Sequence, residues 1–367
     1  MSTWPVAYCT NVHPANNIAG LLAQLDRHAV PVREQLGVDV LPLGLWLPAR
    51  VAHGLAGDPT RLGTLRRELD VRGLSVSTLN AFPYGGFHDD VVKHAVYWPD
   101  WTDPRRVAYT VDSAAVLAGL LPDDAEYGSV STLPLGWREP WSAQHDEVAA
   151  AALTKLTARL RALSIGTGRP IRLAVEPEPG CVLDTVADAV AWLRNRVDPD
   201  YVGICLDTCH LAVSFADPVE TVAAIHRAGL SVVKVQASAA LEAADPIAAQ
   251  AALIDFDEPR YLHQVRENSS YGVLAADDLP EAFATLPGEH PWRVHFHVPL
   301  HMAPPAPLTS TTDVLTAALR AVGPGPHVEV ETYTWPVLPG ADPADLATGI
   351  AGELRWAADN ILSPEPL

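Results

Sequence analysis

The alternation of short apolar runs with helical patterns constrains the fold of this chain more than any other feature. Nine runs have the length and composition of strands: 5–11, 41–47, 74–81, 128–134, 171–177, 202–206, 230–238, 292–299 and 327–334. Between most of them apolar residues recur every three or four positions, as from Ile18 to Leu36, which indicates amphipathic helices. Strands that alternate with helices predict a parallel sheet.

We therefore predict an α/β fold, a (β/α)8 TIM barrel formed by residues 1–362 as a single domain. Such a barrel needs eight strands, so one of the nine runs is extra. We assign Trp292–Pro299 as an extended segment across the barrel mouth, between strands seven and eight. Neither an internal repeat nor a Gly/Ser linker divides the sequence. We expect residues 363–367 to be a disordered tail.

Composition narrows the class of protein. The 367 residues include 25 Lys and Arg against 44 Asp and Glu, a net charge of −19, which disfavours a nucleic acid partner. The four cysteines form no paired framework, which fits a reducing cytoplasm. We find neither a signal peptide nor a run of about 20 apolar residues that would span a membrane. We expect a cytoplasmic protein with a small-molecule substrate, and oligomerisation stays open.

The segment Phe82–Asp103, after the third strand, is long and rich in aromatic residues, Gly and Pro. A loop of this length in a compact domain is usually functional or disordered, and its aromatic content argues against disorder. We predict a lid whose Tyr84, His88 and Trp101 contact a substrate. The alternative is a packed surface flap.

The stretch Gly203–His210 (GICLDTCH) carries an apolar strand into an aspartate and a histidine. Asp207 and His210 are suitable ligands for a divalent metal ion. The alternative is that Asp207 only caps the helix that follows.

Other strand ends carry polar residues as well. Glu176 follows strand five, strand seven offers Lys234 and Gln236, the mouth segment carries His295, His297 and His301, and Glu329 and Glu331 lie in the last strand. In a parallel barrel these ends converge on one face, where carboxylates repel one another unless a cation neutralises them. We therefore predict a divalent metal site, with substrate contacts from Asn80, Trp137 and Gln236. Alternatively, Glu178 is solvated and His297 is structural.

Asp207-Thr-Cys-His210, AVEPEPG (174–180) and VEVET (328–332) resemble the xylose isomerase-like TIM barrels, which include sugar isomerases, epimerases and endonuclease IV. The segments AYCTNVHP, STLNAFPYGGFH, VYWPDW and STLPLGW further resemble the EboE family, whose members are named as metabolite-traffic factors. The first resemblance places Glu176, Asp207 and Glu331 at metal-binding carboxylates, and His210 at the accompanying imidazole.

The sequence departs from endonuclease IV, which has a metal-binding histidine on strand seven. Here that strand offers Lys234 and Gln236, so we expect His297 to replace the missing imidazole. We predict one or two ions of Zn²⁺, Mn²⁺ or Fe²⁺, bound by Glu176, Asp207, His210, His297 and Glu331.

The resemblance implies a metal-dependent isomerase or epimerase acting on a small polyol, sugar or cyclitol-type metabolite in a secondary-metabolite pathway. Glu176 and Glu331 would move the proton, and Lys234 would stabilise an enediolate oxygen. One alternative is a non-catalytic protein that binds or carries a metabolite in the same mouth. Another is a phosphodiesterase of the endonuclease IV kind.

Overall fold

The chain folds around a closed barrel of eight parallel strands, which confirms the predicted TIM barrel. The structure is a computed structural model that describes residues 2–340 and 342–361. The predicted disordered tail, residues 363–367, lies outside the described residues. No helix in the described part of the chain is long and apolar enough to cross a membrane.

The barrel strands follow one another around the barrel in the order β1, β2, β3, β4, β5, β6, β7 and β13. Strands outside the barrel interrupt the numbering between β7 and β13. The thirteen strands are β1 Ala7–Cys9, β2 Leu41–Trp46, β3 Leu74–Asn80, β4 Gly128–Thr132, β5 Ile171–Val175, β6 Val202–Asp207, β7 Val232–Ala237, β8 Leu241–Ala243, β9 Val265–Ser269, β10 Gly272–Ala276, β11 Trp292–Val294, β12 Thr309–Ser310 and β13 His327–Val330.

Helices link successive strands, as a parallel sheet requires. They are α1 Ile18–Gln24, α2 Val30–Leu36, α3 Ala49–Ala56, α4 Pro59–Asp70, α5 Pro104–Leu120, α6 Ala143–Thr167, α7 Val186–Leu193, α8 Thr208–Val213, α9 Pro218–Arg227, α10 Gln250–Ile254, α11 Leu279–Thr285, α12 Thr312–Val322 and α13 Leu346–Ile361. The predicted helix at 18–36 is present, with a π-helical turn at Leu25–Ala29 between α1 and α2.

A second, antiparallel sheet lies between β7 and β13 in the sequence, with the strand order β10-β9-β11-β8-β12. The Ala-rich stretch 241–266 supplies β8, α10 and the start of β9. Trp292–Val294 pairs with both β8 and β9. Residues 295–299 leave this sheet without regular structure, and they bring their histidines to the barrel mouth.

The segment 82–103 is packed rather than loose. Phe87, Val92, Tyr97 and Trp101 are buried, and a 3-10 helix spans Lys93–Tyr97. The amides of Val92 and Lys93 both donate to the carbonyl of Arg260, at 2.8 and 2.9 Å. The segment is therefore tied to the region of the second sheet.

Candidate metal centre at the barrel mouth

A cavity opens among the residues that follow the C-terminal ends of the barrel strands. Its volume is about 60 Å³, room for roughly four to six water molecules. Aromatic and apolar side chains line one part of it, and carboxylate, amide and imidazole groups line another. The polar lining comprises Asn11, Asn80, Lys93, Tyr97, Glu176, Glu178, His210, Tyr261, His295, His297, Glu331 and Tyr333.

Three carboxylates converge beside this cavity. Glu176 directly follows β5, Asp207 ends β6 and Glu331 directly follows β13. All three are buried, and one oxygen of each lies within 4.8 Å of the others. The strands bring them together because the C-terminal ends of parallel strands meet on one face of a barrel.

Neighbouring donors hold two of these carboxylates in place. Asp207 Oδ1 accepts from the His210 amide at 2.9 Å and from Ser238 Oγ at 2.8 Å. Glu331 Oε1 accepts from Asn11 Nδ2 at 2.6 Å and from Asn80 Nδ2 at 3.1 Å. Asp207 thus caps α8 with one oxygen while the other stays available to a ligand.

Some buried atoms of this cluster lack a hydrogen-bond partner among the described residues. They include Asp207 Oδ2, Glu176 Oε2 and His297 Nε2. An unpaired buried polar atom costs free energy, so three in one cluster indicate a bound group. Carboxylate oxygens with an imidazole nitrogen are a donor set suited to Zn²⁺, Mn²⁺ or Fe²⁺, so the residues present fit a divalent cation.

The cluster is strained electrostatically without such a cation. Burial raises the pKa of Glu176 well above 4.5, and the charges of Glu331 and Asp207 raise it further. Burial likewise raises the pKa of Glu331, with Asp207 and Glu329 adding to the effect. Glu176 and Glu331 therefore resist ionisation in this cluster, and a cation would relieve the repulsion.

His297 approaches the carboxylates from the segment after β11. Its Nδ1 lies 2.7 Å from the carbonyl oxygen of Glu331, which accepts only, so Nδ1 carries the proton. Nε2 then presents a lone pair 3.8 Å from Asp207 Oδ2. Burial lowers the pKa of His297 to about 4, so the imidazole is neutral and able to bind a metal ion.

The structure places three other residues at this site whose role the sequence did not assign: Glu178, His295 and Asn11. Glu178 is buried rather than solvated and accepts from Tyr97 at 2.8 Å. His295 lies 3.0 Å from His210, nitrogen to nitrogen, and Asn11 holds Glu331. Burial raises the pKa of Glu178 to about 7. Asn11 lies two residues after β1, and His295 directly follows β11, so the sequence could have indicated both as residues at strand ends. The burial of Glu178 could not be foreseen, because it depends on the distant Tyr97.

Of the residues predicted to act on substrate, two face the barrel interior instead of the cavity. Lys234 is fully buried, and its Nζ lies 2.7 Å from Glu329 Oε1. Gln236 is also fully buried, with no hydrogen-bond partner for its side chain among the described residues. Asn80 does line the cavity, but its amide nitrogen donates to Glu331.

The remaining predicted contacts lie behind the cavity wall. Tyr84 packs edge-on against Tyr109, and Trp101 donates its indole N–H to the carbonyl of Leu133. Trp137 packs on Tyr97 with ring centroids 5.1 Å apart. His88 lies beside Trp46, at 5.8 Å between centroids. None of these four is among the lining residues that the structure describes, although Trp137 supports Tyr97, which is.

Comparison with known proteins identifies the fold. Residues 33–258 match the model of the family described as xylose isomerase-like TIM barrel. A search of curated proteins found no significant match.

Solved structures give a more distant likeness over the whole chain. A D-psicose 3-epimerase crystallised in the presence of D-fructose is 14% identical, with a TM-score of 0.52 over 99% of this chain and 100% of the other. The D-psicose 3-epimerase of Clostridium cellulolyticum H10, with D-tagatose, is 13% identical, with a TM-score of 0.51 over 98% and 99%. The IOLI protein with a bound zinc atom is 14% identical, with a TM-score of 0.50 over 98% of each chain. At these identities the likeness extends to the fold alone.

Proposed function

The chain belongs to the xylose isomerase-like TIM barrel family, and on that basis we propose that it is a divalent-metal-dependent isomerase or epimerase. Its substrate would be a small polyol, sugar or cyclitol-type metabolite. The observation that carries the proposal is the convergence of Glu176, Asp207 and Glu331 beside one cavity, with unpaired oxygens on two of them. Structures of the same fold include epimerases crystallised with ketohexoses and a protein with bound zinc.

Four side chains would hold the metal ion: Glu176, Asp207, Glu331 and His297. The cation would bind substrate oxygens and acidify the proton on the carbon beside a carbonyl group. Asn11 and Asn80 fix one oxygen of Glu331, and Ser238 fixes one oxygen of Asp207. Such donors behind the ligands orient them for binding.

Glu176 and Glu331 would move the proton. Glu176 would take the proton from carbon as a general base, through the carboxylate oxygen that does not bind the cation. The electrons of the C–H bond pass into an enediolate, and a proton returns from Glu331. Both carboxylates line the cavity, where they could reach a proton of a bound substrate. Because the two follow different strands, they would reach the substrate from different sides, as an epimerase requires.

The cavity wall fits a small ligand with one polar and one apolar side. Phe82, Phe87 and Val92 from the segment 82–103 line it, together with the carboxylates Glu176 and Glu331. The segment thus forms one wall of the cavity, and we propose that residues 82–103 act as a lid over it.

Deuterium exchange tests the proposed reaction. The protein is stripped of metal, reconstituted with Zn²⁺ or Mn²⁺, and incubated in D2O with a panel of ketoses, aldoses and keto-cyclitols. Incorporation of deuterium beside the carbonyl, measured by NMR, is the expected result. Glu331→Gln should abolish exchange, while Glu220→Gln, an exposed carboxylate on α9, should leave it unchanged. Equal exchange by the Glu331 variant would refute the proposed role of this carboxylate.

A second candidate function is metabolite binding without turnover, as a member of the EboE family. Three of the segments that carry that resemblance contribute to the cavity: Asn11 from the first, Asn80 and Phe87 from the second, and Tyr97 from the third. Metal-dependent binding of a metabolite by calorimetry, with no exchange or conversion, would favour this function. The net charge of −19 disfavours a phosphodiesterase acting on DNA, and a DNA-nicking assay with Zn²⁺ or Mn²⁺ tests that function.

A further inference from the structure

The charged side chains around the cavity are mostly acidic. Lys93 is the only lysine or arginine among the described residues that line it. The carboxylates in the lining are Glu176, Glu178 and Glu331. The three carboxylates of the proposed cation site carry one negative charge more than a divalent cation neutralises. Whether an anionic group of a ligand finds a positive partner in this cavity therefore depends on Lys93.

The ammonium group of Lys93 is already paired. Its Nζ lies 2.5 Å from Asp278 Oδ2, and the two side chains are only 26% and 20% exposed. The other oxygen of Asp278 accepts from the amides of His263 and Leu279, at 3.0 and 3.1 Å. An anionic ligand that approached Lys93 would have to displace a carboxylate that two backbone amides hold in place.

The backbone of Lys93 has a conformation that residues other than glycine rarely adopt. Its φ is +38°, at the edge of the left-handed region. The amides of Val92 and Lys93 both donate to the carbonyl of Arg260, at 2.8 and 2.9 Å. Strain of this kind persists only where surrounding contacts impose it, and it is concentrated at ligand-binding sites. The position of the Lys93 side chain in the cavity wall is therefore specified by the fold.

Backbone amides at the barrel mouth that could hold a phosphate are already paired. TIM barrels frequently bind phosphate with the loops after their last two strands and the N-terminus of a short helix. After β7, the amides of Ser238 and Ala240 donate to threonine hydroxyls at 3.0 and 2.9 Å. At the start of α8, the amides of Cys209 and His210 donate to side-chain oxygens, both at 2.9 Å. A phosphate at these positions would have to displace a side chain.

We propose that the substrate is uncharged, a free rather than phosphorylated sugar or polyol, and that Asp278 determines this specificity by pairing with Lys93. Val92 and Val96, in the same segment as Lys93, line the cavity with apolar groups. A phosphate that Lys93 does not bind would be buried against them, at a cost in free energy. The inference names the substrate class within the proposed function and rests on it for the place where the substrate binds.

Asp278→Asn tests the inference, because asparagine keeps the oxygen that accepts from the two amides and removes the negative charge beside Lys93. The full-length protein is reconstituted with Zn²⁺, and circular dichroism verifies the fold of each variant. Binding of D-fructose 6-phosphate and of glycerol 3-phosphate is measured by calorimetry. We expect no saturable binding to the unmodified protein at millimolar ester, and binding at least about tenfold tighter to Asp278→Asn.

Two further variants separate the release of Lys93 from the loss of a negative charge. Asp277→Asn removes the neighbouring carboxylate, which pairs with Arg138 outside the cavity lining, and should bind the esters no better than the unmodified protein. Adding Lys93→Met to Asp278→Asn should abolish the gain. Saturable binding of either ester by the unmodified protein would overturn the inference. So would the absence of a gain in Asp278→Asn, or a gain that Lys93→Met leaves intact.

Deuterium exchange distinguishes this inference from the proposed function and needs no variant. The unmodified protein is incubated in D2O with matched pairs of ketoses and their phosphate esters. Exchange into the free ketoses alone would support both the inference and the proposed function. Exchange into the esters would support the proposed function and overturn the inference. Absence of all exchange, together with ester binding that Asp278→Asn gains and Lys93→Met removes, would refute the proposed function and support the role of Asp278.

Discussion

Glu329 and Glu331 lie two residues apart at the end of the last barrel strand, yet the protein treats their charges in opposite ways. Both point into the barrel, because alternate residues of a strand share a face. Glu329 is fully buried and pairs with Lys234 at 2.7 Å. Glu331, one layer higher, lies among Glu176 and Asp207. Lys234 compensates the charge of Glu329, whereas the three upper carboxylates have no such partner among the described residues and are those we assign to the proposed cation.

The lower layer consists of Lys234 and Glu329, and the chain around it accommodates this ion pair. A β-carbon on Gly44 would lie 1.2 Å from Glu329 Oε2, so the glycine on β2 makes the space that this carboxylate occupies. Burial alone would lower the pKa of Lys234, but the charge of Glu329 outweighs it and raises the pKa above its ordinary value. Lys234 therefore stays charged and takes the place beside Glu329 that a bound cation would otherwise occupy.

The largest expected effect is on the lower layer. Lys234→Met leaves the Glu329 carboxylate buried without a partner, and we expect it to lower the free energy of unfolding by about 3–5 kcal/mol. Urea unfolding measures the change. Adding Glu329→Gln to this variant should restore much of the loss, and Lys155→Met on the exposed side of α6 should have little effect. A small loss in Lys234→Met would mean that the lower layer does not depend on its ion pair.

The upper layer, formed by Glu176, Asp207 and Glu331, should respond in the opposite way: removing one of its charges should raise the free energy of unfolding. In the metal-free protein the raised pKa of Glu331 means that, above pH 4.5, the folded state binds more protons than the unfolded chain. Its free energy of unfolding therefore falls as the pH rises. Glu331→Gln removes this contribution and also relieves the repulsion on Glu176. The free energy of unfolding of the variant, relative to that of the unmodified protein, should therefore rise by up to about 1.4 kcal/mol for each pH unit.

Urea unfolding in EDTA from pH 5 to 8 measures that difference. Glu220→Gln is the control, since its carboxylate is exposed on α9. If the free energy of unfolding depended on pH in the same way in the Glu331 variant and in the unmodified protein, the upper carboxylates would not repel one another as their burial implies.

Added metal should reverse the pH dependence of the upper layer. The ligands must be deprotonated to bind a cation, so stabilisation by Zn²⁺ or Mn²⁺ should grow from pH 5 to 8. At a free metal concentration of one hundred times Kd, the gain is about 2.7 kcal/mol. Thermal unfolding with and without metal measures it. The Lys155→Met control should show the same gain, and Glu331→Gln should lose most of it.

The barrel and the carboxylates were predictable because each depends on local sequence. A strand pattern that ends in a polar residue places that residue at the mouth of a parallel barrel, which brought Glu176, Asp207 and Glu331 together. The depth of Lys234 was not predictable in the same way. It lies opposite His327 in the register with β13, while Gln236 lies opposite Glu329. The register between neighbouring strands determines how deep in the barrel each side chain lies, and this register cannot be read from the sequence.

Contacts between distant segments account for the other differences. The Ala-rich stretch 241–266 gives strands β8 and β9 at its two ends because both pair with Trp292–Val294, which lies far along the chain. Glu178 is flanked by prolines and looked solvated, but Tyr97 from the segment 82–103 covers it. In both cases tertiary pairing overrides the local composition.

Glu353 on α13 supports the upper layer from outside the barrel. It is buried and accepts from the Leu300 amide at 3.1 Å, from Thr332 Oγ1 at 2.6 Å and from Trp335 Nε1 at 2.7 Å. Thr332 is adjacent to Glu331, and Leu300 lies three residues after His297. One carboxylate thus anchors two of the four chain segments that deliver ligands to the proposed cation, those of Glu331 and His297.

Glu353→Gln should weaken metal binding although residue 353 contacts no ligand. All three groups around the side chain are donors, so the amide nitrogen of Gln must face one of them, and the two anchored segments lose a partner. We expect about tenfold lower metal affinity, or roughly 1.4 kcal/mol, measured by competition with a fluorescent chelator. Asp359→Asn, exposed on the same helix, is the control. Trp335→Phe removes one of the opposed donors, so adding it to Glu353→Gln should recover part of the affinity. Unchanged affinity in Glu353→Gln would mean that the barrel strands alone hold the upper layer in place.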